Sequence, residues 1–142
     1  MRKPLEIIEG EKSLRLNLYI IAASYLLLIL LIEPALDLIL LSLFEQGSLQ
    51  HIETINKIKL LASTFIYSAM GIIPASYACW FGYRAVASSK LPPVLHSGKT
   101  RFPFTVVVIK GKHAKMFGIL IITVSLVLII QFLLHAIKVL FS

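Results

Sequence analysis

Apolar positions dominate three stretches of the chain and leave almost no room for a wet face. Leu16 to Ile32 is nearly unbroken, and after Glu33-Pro34 the same character resumes from Ala35 to Phe44. Leu60 to Tyr83 forms the second stretch and Met116 to Phe141 the third. Each is at least as long as the roughly 20 residues that a helix needs to cross a bilayer. The first is longer still, so its one polar interruption must mark a change. Proline lacks a backbone donor and disfavours helical geometry in the residue before it, so Pro34 either kinks one helix or opens a second from its first turn. A surface helix would keep one polar face, whereas Leu36, Leu38, Ile39, Leu40, Leu41, Leu43 and Phe44 point all around the axis. A kink in a continuing span is therefore expected.

Gln46-Gly47-Ser48 is a turn signal, with Ser48 able to cap a helix in which Leu49, Ile52, Ile55 and Ile58 recur every three residues. That helix runs into the second span, where Gly71 and Pro74 are a second point of bending. Ser88 to Pro103 carries Pro92, Pro93, Pro103 and Gly98 among cations, which predicts a loop. Phe104 to Ile109 is rich in β-branched residues and predicts a short strand or an interfacial stretch. The expectation is an all-α integral membrane protein with three transmembrane helices, at about 14–44, 49–86 and 116–141. The first two form a long kinked helical hairpin, and a basic cytoplasmic loop spans 87–115. Together, 1–142 make a single membrane domain.

Composition supports the bilayer as solvent: 58% of residues are hydrophobic, and 15% are charged with a net charge of +7. The excess charge is unevenly placed. Arg2, Lys3, Lys12 and Arg15 precede the first span, and Arg84, Lys90, Lys99, Arg101, Lys110, Lys112 and Lys115 lie between the second and third without one acid. The other side holds Lys57, Lys59 and Lys138 with Glu33, Asp37, Glu45 and Glu53. Because cytoplasmic segments retain Lys and Arg, the N-terminus and the basic loop are expected inside, and the hairpin tip and C-terminus outside. Trp80, Phe81 and Tyr83 before Arg84 suit an aromatic belt at the inner interface. The acid-containing lead-in and the Glu33-Pro34 pair, with no small-residue cleavage site, predict a retained span rather than a secretory signal. The compact loops lean towards a bacterial inner membrane. Cys79 is the one cysteine, which excludes an intrachain disulfide and a multi-cysteine metal site.

Three groups of residues are candidates for function. Ser68, Gly71, Ala75, Ala78 and Gly82 recur every three or four residues and form one stripe of small side chains, which suits close helix packing inside the protein or against a partner subunit. Counting residues from the cytoplasmic ends of the first and third spans brings Glu33 and His135 to one depth near the outer leaflet. Asp37, Tyr67, Gln131 and Lys138 join them in a predicted polar cluster that would clasp span one to span three. The cations of the basic loop are expected to meet anionic lipid headgroups or a cytosolic partner.

Signatures of catalysis are missing from the sequence: there is no His-Glu-x-x-His, Gly-x-Ser-x-Gly, phosphate-binding glycine loop or Cys-x-x-Cys. The four histidines, His51, His96, His113 and His135, are scattered, so no haem pair is expected. No enzyme activity, cofactor, metal site or nucleic-acid binding is anticipated. A small non-catalytic accessory subunit or assembly factor of a larger membrane protein complex, with other membrane subunits as partners, is the foremost expectation. The alternatives are a homo-oligomeric proton, cation or small-solute transporter built on Glu33, Asp37 and His135, and a membrane-embedded immunity or inhibitor protein.

Overall fold

A computed structural model describes residues 6–43, 49–93 and 102–141. Three long helices dominate it: α1 (Lys12–Leu43), α2 (Leu49–Ser88) and α3 (Lys112–Leu140). All three are long and apolar enough to cross a membrane. α1 continues through Pro34 and α2 through Pro74, so neither proline starts a new helix. At 40 residues, α2 is ~60 Å long, about twice the hydrocarbon thickness of a bilayer.

Of the two expectations for 104–109, a short strand or an interfacial stretch, a strand forms at Val106–Val107, and it has a partner that a purely all-α fold lacks. Four two-residue strands, β1 (Ile7–Ile8), β2 (Lys90–Leu91), β3 (Val106–Val107) and β4 (Ile109–Lys110), form two antiparallel pairs, β1 with β3 and β2 with β4. Both partners of this segment come from elsewhere in the chain. Glu11 N–H donates to Phe102 O, Val108 N–H to Glu6 O, and Gly111 N–H to Ser89 O. The segment entering α3 is thereby tied to the start of α1 and to the end of α2. We call this the strand end of the molecule.

Helix α3 begins at Lys112, earlier than the expected 116, so Lys112 and Lys115 stand in its first turn. The expected basic loop is thus divided among elements: Arg84 lies in α2, Lys90 in β2 and Lys110 in β4. Lys99 and Arg101 fall outside the described residues.

α2 and α3 pack antiparallel along most of their length. Their contact is made by small residues: Ser68, Ala75, Gly82 and Ala85 are buried on α2, and Ala114, Gly118, Ser125 and Ala136 on α3. At one point two glycines face each other. A Cβ on Gly82 would come 2.8 Å from Gly118 O, and one on Gly118 would come 2.7 Å from the Val86 side chain. Close approach of this kind, with its dispersion contacts, is the main route by which apolar helices associate in lipid. The buried Ser125 hydroxyl donates to Ile121 O on its own helix, so it carries no unmet polar group into the interface.

α1 is attached differently. It meets α2 along one seam, where Tyr25, Ile29, Ile32, Leu36 and Leu40 are the more covered positions, and it makes no backbone approach to α3 among the described residues. The expected hairpin of the first two spans exists as an antiparallel pair, but the intimate hairpin is α2–α3.

Candidate functional site

Two features meet on the inner face of α1. The first is polar. Glu33 and Asp37 are one turn apart on α1, and both reach Lys59 of α2: Lys59 Nζ lies 2.6 Å from Asp37 Oδ1 and 3.4 Å from Glu33 Oε2. The acids are about half exposed. One ammonium answers two carboxylates, so the group keeps a net negative charge.

This replaces the predicted clasp between spans one and three. Gln131, His135 and Lys138 are all exposed on α3, and α3 does not approach α1. The register explains why. The Phe132 ring lies over Gly71, so His135 falls near the level of Ser68, more than two turns along α2 from Lys59. Tyr67, expected in the same cluster, lies near that level too and lines a cavity instead. Lys59 escaped the sequence argument because depths were counted from the strand end, as if all helices began at one height. The antiparallel register of α1 on α2 gives the right answer: Tyr25 meets Met70, and twelve residues further along α1 Asp37 meets Lys59, eleven residues back along α2.

The second feature follows from Pro74. A helical carbonyl accepts from the N–H four residues later, and for Met70 that residue is Pro74, which has none. The hydroxyl of Tyr25 on α1 donates to Met70 O instead. A proline in one helix and a tyrosine in the next therefore form a matched pair: the freed carbonyl is satisfied, and α1 is docked to α2 at mid-length.

This bond borders an apolar slot of about 740 Å³, lined by residues of all three helices. Tyr25 and Ile29 line it from α1, Pro74 and Ala78 from α2, and Leu120 and Phe132 mark its two ends on α3. The small-residue stripe is thus shared. Ser68, Ala75 and Gly82 are buried, while Gly71, Ala75 and Ala78 border the slot. The space exists because α1 stays away from α3 and because α2 presents small side chains there.

At the strand end the charges are organised by local pairing. Arg15 Nε donates to Pro103 O, and its guanidinium lies 5.5 Å from the centre of the Phe104 ring. Glu6 pairs with Lys110 across the strands, and that hydrogen bond holds the Glu6 carboxyl below its ordinary pKa. Arg84 stacks over Trp80, 5.5 Å from the ring centre. No group of three or more potential metal ligands occurs among the described residues. No protein-family model, curated protein or solved structure matches the chain.

Proposed function

We propose that the chain is a small membrane-embedded, non-catalytic accessory subunit or assembly factor of a larger membrane protein complex. Its N-terminus, strands and basic residues would lie on the cytoplasmic side of a bacterial inner membrane. The observation that carries this is the position of α1. It is held to α2 along a single seam, stands clear of α3, and turns the rest of its apolar surface outward, with Leu16, Ile21, Leu30 and Leu38 all more than half exposed. A helix attached on one side only is suited to packing against helices of another subunit. The α2–α3 pair, by contrast, uses its small residues on itself.

The topology rests on the same cations as before. Lys12 and Arg15 open α1, and Lys112 and Lys115 open α3, with no acid in either first turn. A cytoplasmic location for this end accords with the retention of Lys and Arg on that side. The Glu33–Asp37–Lys59 group would then lie towards the outer interface, where half-exposed charges reach water.

Purification in mild detergent with chemical crosslinking tests the assignment. Recovery of stoichiometric membrane partners, with crosslinks placed on α1, is the expected result. A chain that emerges monomeric and alone, and crosslinks to nothing in intact membranes, would overturn it.

A further inference from the structure

We propose that the slot between α1 and the α2–α3 pair is a binding site for one acyl chain of an anionic phospholipid, whose phosphate sits among the basic residues of the strand end. The lining decides the class of ligand: it is apolar throughout, and about 740 Å³ is within the range of binding pockets. Its shape is that of a chain. From Leu120 to Phe132 along α3 the slot runs ~18 Å, somewhat more than half of a ~30 Å hydrocarbon core, which is the depth that one leaflet's chain fills.

Charge supplies the polarity of the ligand. Leu120 lies ~8 Å along the helix from Lys115, so a chain entering there has its ester and phosphate at the level of the first turn of α3. That turn carries Lys112, His113 and Lys115, and the first turn of α1 carries Lys12 and Arg15, whose guanidinium also donates to Pro103 O and lies over the Phe104 ring. α3 presents its N-terminal, positive dipole end at this level with no acid beside it, whereas Glu11 stands at the start of α1 and accepts from the Ser13 hydroxyl. A phosphate is complementary to that arrangement, and a zwitterionic headgroup much less so. The separation of α1 from α3 leaves the gap open sideways, so a lipid can enter from the bilayer.

The proposal depends on the membrane location but not on the partner assignment, since a solitary monomer that retains the lipid would leave it intact. The test is native mass spectrometry of the whole chain, released from nanodiscs containing equal parts of phosphatidylglycerol and phosphatidylcholine with identical palmitoyl and oleoyl chains. One retained phosphatidylglycerol per chain, strongly preferred over phosphatidylcholine, is expected. Val124 and Leu128 line the slot and are exposed in it, so V124W, or L128W should the first fail to fold, fills it without entering the helix interface. Filling should abolish retention while helical content is unchanged. Replacing Lys112 and Lys115 together by Gln should reduce the preference for phosphatidylglycerol about 25-fold, at about fivefold per cation. Equal retention of the two lipids, no retention of either, or full retention by both slot-filling variants would each overturn the assignment.

Discussion

The two interfaces of α2 solve the same problem by opposite means. Against α3, α2 uses absence of side chain: Gly82 meets Gly118, Ala85 and Ala114 are wholly covered, and the backbones come together over most of their length. Against α1 it uses specific polar contacts, Met70 O to the Tyr25 hydroxyl and Lys59 to Glu33 and Asp37, strung along a thin apolar seam. The first interface is continuous and intolerant of added volume. The second is discontinuous, and it leaves a slot between its contacts. A bundle built from one of each has a closely packed half and a half with open space between its contacts.

The largest effect should come from the closely packed half. Gly82→Leu must displace Gly118 and the Ile121 and Ile122 side chains, and overpacking of this kind costs about 1–3 kcal/mol. Thermal unfolding in detergent should show a clear loss of stability, and a variant as stable as the parent would mean that the two helices are not in contact there.

Next comes Lys59→Gln, which leaves two carboxylates facing each other across one turn. Limited proteolysis near residues 44–48 should accelerate, and the further changes Glu33→Gln and Asp37→Asn should restore the original rate. Acceleration that persists in the triple variant would show that Lys59 acts in some other way.

A smaller effect is expected at the proline–tyrosine pair. Tyr25→Phe removes the partner of Met70 O and should cost about 0.5–1.5 kcal/mol. Pro74→Ala returns the missing N–H to that carbonyl, so Tyr25→Phe in the Pro74→Ala background should cost distinctly less. Equal costs in the two backgrounds would separate the tyrosine from the proline.

The smallest effect is at the strands. Pairing with Lys110 lowers the Glu6 pKa below 4.5, so its contribution is present above that value and is lost as pH falls through the lowered folded-state pKa. Protection from hydrogen exchange at Ile8 and Val108, taken relative to the intrinsic rate at each pH, should fall below about pH 4.5 in the parent, and Glu6→Gln should remove that pH dependence. The same acid-induced loss of protection in Glu6→Gln would assign it to another group.

Much of this architecture could be read from the sequence, and the contrast between the interfaces explains the part that could not. Helix positions follow from apolar runs, because a segment without a polar face has few ways to satisfy its backbone other than as a buried or membrane helix. The stripe of Ser68, Gly71, Ala75, Ala78 and Gly82 is visible for the same local reason, and its partner helix is α3. Pairing at a distance is another matter. The Glu33 and Asp37 carboxylates look equally able to meet His135 and Lys138 or Lys59, and only the register of α1 on α2, with Tyr25 at Met70, selects Lys59. The strand pairs are less legible: Val106–Val107 and Ile109 have strand composition, but their respective partners, Ile7–Ile8 and Lys90–Leu91, are too short to carry a periodic signal. The basic loop looked uniform because charge alone does not show that Lys112 and Lys115 belong to a helix.

The central claim is that α1 docks on α2 through the acid–lysine group and stands apart from α3. Disulfide trapping in native membranes tests it most directly, with Cys79→Ala as background and Asp37→Cys combined with either Lys59→Cys or His135→Cys. Rapid oxidative crosslinking of the Asp37→Cys, Lys59→Cys pair, with none from the Asp37→Cys, His135→Cys pair, is the predicted result. Crosslinking of the second pair but not the first would contradict it and return the clasp to α3.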